Sequence, residues 1–278
     1  MKFKVAGRDV NVAPSHILIY FGFVVLFVIA LMAAAVILTS AQGQESSEDA
    51  LAKNSALLTG VIGAVMEPLL AFLLIRVSGV FKLKNDVALC RSLAGASAFI
   101  WAGLSLLGLI AGLAGGIVTA ELALPYAVSW AGSLMVLLAS SITFYLWLLI
   151  FLQPDRIRAK DAAIKAAAFA LLYFIIQEAV VVLLQYAHGY PAGISLDAQA
   201  LMWVLDSFVF GFALLYHMKE KPDREAYQLF AALFVGGALI SVLDSVPSDP
   251  FVLIGAAEAA VQLGLIYLFS KKDTLKTF

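Results

Sequence analysis

Residues 55–77 read SALLTGVIGAVMEPLLAFLLIRV, an apolar run of membrane-spanning length broken near its middle by Glu67 and Pro68. A hydrocarbon core of roughly 30 Å takes about 20 such residues at about 1.5 Å rise each. Seven more stretches share this character: Ile17 to Thr39, Ser92 to Ile117, Tyr126 to Leu152, Ile164 to Ala187, Ala198 to His217, Tyr227 to Leu243 and Phe251 to Phe269. The expectation is an all-α, polytopic membrane helix bundle of eight spans, forming one integral membrane domain. It has an N-terminal tail over 1–16 and a C-terminal tail over 270–278.

Composition agrees with that expectation. The 278 residues are 63% hydrophobic and 13% charged, with a mean hydropathy of +0.97, whereas soluble domains are about half apolar and about a quarter charged. A net charge of −1 offers no basic face for nucleic acid, so that partner is excluded. A single cysteine, Cys90, excludes an internal disulfide framework and multi-thiolate metal sites. Apolar residues outnumber those of a signal peptide's core in the first span, which reads as an uncleaved anchor.

Cations beside a span resist translocation and stay cytoplasmic. With the N-terminus placed inside, every Lys and Arg except Lys53 falls on the cytoplasmic side, from Lys2, Lys4 and Arg8 to Lys271, Lys272 and Lys276. The opposite loops carry Glu45, Glu48, Asp49, Glu121, Asp197, Asp244 and Asp249. Both termini are therefore expected in the cytoplasm, and the cell membrane is the expected location.

All but four of the 19 acids lie in loops or at span ends. Glu67, Glu178, Asp206 and Glu258 lie inside, where an acidic side chain costs on the order of 2.5–3.5 kcal/mol and is a functional candidate. Counted from the outer boundary, Glu178, Asp206 and Glu258 fall roughly 12–14 Å deep, and Glu67 lies near the midplane. No cation shares that slab; Arg76 is nine residues beyond Glu67, about 13 Å nearer the cytoplasm. Protonation, a bound cation or cavity water would make such a site tolerable. A neutral carboxyl bonded to a neighbouring helix is the plainer alternative.

Pro68 cannot donate to the carbonyl of Ala64, so the second span is expected to kink or open beside its acid. Gly60, Gly63, Glu67 and Ala71 share a face, letting a helix or ligand approach closely. Gln262 shares a face with Glu258 and Gly255, and Gln185 aligns with Glu178; both glutamines are supporting candidates. Ser129, Ser133 and Ser140 line the fourth span, where hydroxyls ordinarily satisfy backbone carbonyls. Gly108, Gly112 and Gly116 read as a helix-packing seam. The basic loop around Arg156, Arg158 and Lys160 suits the positive-inside pattern, or anionic lipid head groups.

Division after the fourth span gives two four-helix halves of like orientation, each with an acid on its second helix, Glu67 and Asp206, and a proline–aromatic opening to its fourth, Pro125-Tyr126 and Pro250-Phe251. Parallel repeats of this kind occur in transporters.

Catalytic signatures are thin. His16, His188 and His217 stand at span ends, about 15 Å from the acids in the last two cases, which argues against a His–carboxylate zinc site. CAAX-protease-like intramembrane proteases carry adjacent glutamates and deep histidines; the nearest approaches here are Glu67-Pro68 and Gln177-Glu178, so descent from such a family would leave a catalytically altered chain. No cofactor is implied, and the identity of any metal stays open. The expected function is a proton- or cation-coupled transporter or channel-like protein, acting on a proton, a cation or a small solute among membrane lipids. An intramembrane lipid- or peptide-processing enzyme, or a non-catalytic subunit anchoring partner membrane proteins, remain the alternatives.

Overall fold

A computed structural model describes residues 1–5, 8–41, 64–115, 123–187, 198–219, 221–245 and 252–271. Eight helices occur among them: α1 Pro14–Ala41, α2 64–77, α3 Val87–Ala114, α4 Ala123–Leu152, α5 Arg156–Ala187, α6 Ala198–His217, α7 Lys221–Ser245 and α8 Val252–Lys271. Each overlaps an expected span. Of these, α1, α3, α4, α5 and α6 contain segments long and apolar enough to cross a membrane.

Their outward faces are correspondingly oily. Leu18 on α1 and Leu201 on α6 are 72% and 71% exposed, and similar side chains cover α3, α5 and α8. A soluble monomer rarely exposes so much contiguous apolar surface. The chain is a membrane-type helical protein, and the exposed leucines belong against lipid tails.

Polar residues set where the helices begin. Asp86 caps α3 by accepting from the Leu89 amide at 2.9 Å, and Asp155 caps α5 by accepting from the amides of Ile157 and Arg158 at 3.0 and 3.2 Å. Both caps occupy free amides at a helix start. The helices therefore begin five and eight residues before the hydropathy boundaries at Ser92 and Ile164.

The first sixteen residues hold a feature that the tail reading omitted. Strands β1 (Lys2–Val5) and β2 (Arg8–Asn11) pair antiparallel, Lys2 opposite Asn11 and Val5 opposite Arg8. Val12 is buried against Gly95 of α3, and Ser92 accepts from the Ala13 amide at 3.2 Å while bonding His16 Nδ1 at 2.6 Å. The hairpin thus lies on the first turns of α3.

Helix α4 is central, packing most extensively on α7 and α3 and also touching α6. Helices α5 and α6 form the other closely packed pair. Small residues set the first of these seams: a Cβ on Gly237 would stand 2.8 Å from the Gly132 carbonyl oxygen. Gly112 likewise receives the Tyr126 ring, so the α3 seam expected from Gly108, Gly112 and Gly116 is a packing surface at Gly112; Gly116 lies outside the described residues.

The helix over 64–77 is continuous through Pro68, so it does not unwind there, which leaves a kink as the form the expected irregularity can take. Gly60 and Gly63 lie outside the described residues. His217, expected at a span end, is buried at 4% exposure and bonds the Leu146 carbonyl at 3.0 Å. Lys165 is buried too, paired with Asp161 at 2.6 Å one turn earlier.

Gly237→Val is expected to part α4 from α7, because a backbone oxygen cannot yield, with a loss of about 1–3 kcal/mol. Gly103→Val, where a Cβ meets nothing within 4 Å, is expected to leave stability nearly unchanged. Thermal melting of the purified proteins in one detergent compares them.

Candidate functional site

Two hydroxyls on α4 hold the acid of α2. The Ser140 hydroxyl donates to Oε1 of Glu67 and the Thr143 hydroxyl to Oε2. Ser140 and Thr143 are three residues apart, so a helical turn presents both on one face. Glu67 is half-buried there. Thr143 Oγ1 also lies 2.8 Å from the Ser140 carbonyl oxygen, in its own helix.

Around this clamp the bundle gathers further polar groups. Asp206 of α6 lies within electrostatic range of Glu67. Tyr173 of α5, 6% exposed, lies near Gln262 of α8 and within electrostatic range of both Glu258 and Asp206. Electrostatic interactions thus link Glu67, Asp206, Tyr173 and Glu258 across α2, α6, α5 and α8. Asp206 is exposed, and Glu258 and Gln262 are half-buried.

Glu178 is buried on α5 at 8% exposure, and the interactions joining the other three acids do not include it. Gln185 is half-buried two turns further along the same helix. Pro68 is half-buried beside Glu67.

A second polar cluster touches the first on its other flank. Tyr20 of α1 accepts from Ser97 Oγ at 3.0 Å and from Trp101 Nε1 at 3.1 Å, both on α3. Ser97 in turn lies 3.3 Å from Ser141 Oγ on α4, and Tyr20 is within electrostatic range of Glu67. Since Ser140 and Ser141 are consecutive, they point to different neighbours, one to α2 and one to α3.

Toward the α2 C-terminus the clamp gives way to aromatic rings. Trp147 of α4 stacks on Phe151 at 5.8 Å and on Phe212 of α6 at 5.4 Å, and Phe72 of α2 meets Phe151 edge-on at 5.4 Å. Beyond them lies a cavity of about 550 Å³ lined by Phe72, Phe151, Arg76 and Asn85, among others. On both α2 and α4 the order along the helix is acid or hydroxyl, then ring, then cavity. The rings therefore stand between Glu67 and that cavity.

Sequence reasoning passed over three of these groups. A serine at 140 is expected to satisfy its own backbone, yet it serves the acid. Thr143 was not singled out, although its spacing from Ser140 is a readable signal. Tyr173 gave none, as tyrosine is common in membrane helices. Among the described residues no cluster of three or more His, Cys, Asp or Glu side chains is arranged to hold a metal ion.

No protein-family model, curated protein or solved structure matches this chain.

Loss of both donors is expected to strand the carboxyl: Ser140→Ala with Thr143→Val should cost about 1–3 kcal/mol. Adding Glu67→Leu should restore most of that loss, since removing both partners of a buried hydrogen bond is nearly neutral. An SDS titration followed by circular dichroism measures the cycle. No recovery in the triple variant would mean that the hydroxyls stabilise the bundle independently of Glu67.

Proposed function

We propose that this protein is an eight-span protein of the cell membrane, both termini cytoplasmic, that passes a proton, a cation or a solute coupled to one. Glu67 is its central group, with Asp206 and Glu258 as further titrating or coordinating carboxylates and Gln262 in support. Glu178 with Gln185 is assigned to the same ion-handling role at a separate position on α5.

The observation that carries this reading is the Glu67 clamp: a carboxyl between apolar helices, held by two hydroxyls, with a second acid in electrostatic range. No ion pair among the described residues engages Glu67. Hydroxyl and carboxylate oxygens suit a hard cation as well as a proton. A proton fits the hydrogen count. Thr143 has one hydroxyl hydrogen and two acceptors in reach, Glu67 Oε2 and the Ser140 carbonyl. If Glu67 carries its own proton and donates it to Thr143, the threonine is free to donate onward to that carbonyl, and every contact is made. When Glu67 gives the proton up, Thr143 must turn back to the carboxylate. Loading and unloading are thereby coupled to one hydroxyl rotation on α4.

Protein in liposomes is expected to show flux that depends on a proton or cation gradient. Glu67→Gln is expected to reduce it at least tenfold, and Asp206→Asn to reduce it in the same direction. Unchanged flux in both variants overturns the reading, and substrate conversion in detergent without any gradient would favour an intramembrane enzyme.

Orientation has a separate test. Cys90 is fully buried, so background labelling should be low. Lys276→Cys is expected to react with a membrane-impermeant thiol reagent only in inverted vesicles, and Ser47→Cys only in intact cells.

A further inference from the structure

A second cavity, of about 330 Å³ and sharing no lining residue with the first, lies between β2, α3, α4 and α7 and is partly open. Its volume is at the lower end of small-ligand sites, about 300–1,000 Å³. Three helices agree on how its polarity is distributed. Arg91 lines it on α3 and Glu225 on α7, each in the second turn of its helix, and Tyr145 lines it on antiparallel α4. From that end the lining runs through Ala94, Gly95 and Ala98 on α3, while Leu138 and Leu233 close the far end.

Arg91 to Ala98 and Glu225 to Leu233 are seven and eight residues, so the apolar shaft extends roughly 10–12 Å. Ala94 and Ala98 on α3 leave the room, since the space over Gly95 is taken by Val12 and Val10. The hydroxyl within the shaft, Ser141, is already engaged with Ser97 and with the Leu137 carbonyl at 3.3 Å. The shaft therefore asks for a hydrocarbon chain.

The mouth asks for an anion. No hydrogen bond or ion pair among the described residues engages Arg91, whereas Glu225 has a partner. A guanidinium half-buried at the head of an oily shaft matches a phosphate followed by an acyl chain. We propose that this groove binds one acyl chain of a bilayer phospholipid, with Arg91 on the lipid phosphate. The inference needs the membrane reading but none of the carboxylates, so a loss of flux with lipid binding intact, or the converse, separates the two.

Native mass spectrometry of the delipidated full chain in detergent, titrated with dioleoylphosphatidylglycerol, tests it. A first lipid is expected to bind at least tenfold more tightly than those that follow, and dioleoylglycerol, which lacks the phosphate, about tenfold more weakly. Arg91→Gln is expected to weaken the first lipid by a similar factor, and Ala98→Phe to abolish that step by filling the shaft. Leu233→Trp fills the same shaft from α7 and serves if Ala98→Phe does not fold. Equal binding of the two lipids by the unaltered protein, or displacement of the lipid by glycerol phosphate alone, would overturn the proposal.

Discussion

A carboxyl group surrounded by hydrocarbon must find hydrogen-bonding partners inside the protein or draw water to itself. Glu67 finds its partners on a single helical turn of α4, and much of the bundle is arranged around that fact. Helix α2 is held to α4 at this point by the two hydroxyl bonds and, further on, by Phe72 against Phe151. The polar contact fixes register, because two donors three residues apart match one carboxyl in one position. The aromatic contact then supplies apolar burial without further polar demands.

Helix α4 carries these opposed requirements along its length. Its N-terminal half is smooth, with Gly132 taking the close approach of α7 at Gly237. Its middle is polar on two sides, Ser140 and Thr143 toward α2 and Ser141 toward α3. Its last turns are aromatic. One helix therefore serves as packing platform, hydrogen-bond donor and apolar barrier in succession, which accounts for its contacts with α3, α6 and α7 alike.

Much of this was legible from residue order. Hydropathy located the helices, and for α6 the expected limits are those observed, Ala198–His217, because its charged neighbours lie outside the helix. It misplaced the starts of α3 and α5, since Asp86 and Asp155 extend those helices into polar sequence that no hydropathy window admits. The N-terminal hairpin was missed for a related reason. The alternation Lys2-Phe3-Lys4-Val5 is a strand signal of period two, but it is short and its lysines equally suit a charged flank. At the site, the acids announced themselves by cost, whereas their partners did not. A serine or threonine in a membrane helix usually serves its own backbone, and only the packing of α2 on α4 distinguishes Ser140 and Thr143 from the rest. His217 shows the opposite error, a residue at a span end that tertiary packing buries.

The stacking of Trp147 between Phe151 and Phe212 has an optical corollary. Trp147 is 8% exposed and Trp203 is 39% exposed, while Trp101 and Trp130 are half-buried. Bromine atoms attached to surrounding fatty chains extinguish indole emission by collision, so they reach the outer tryptophans and spare the enclosed one. The fluorescence that survives comes chiefly from Trp147, and its intensity reports any sliding of α4 past α6 without an attached dye.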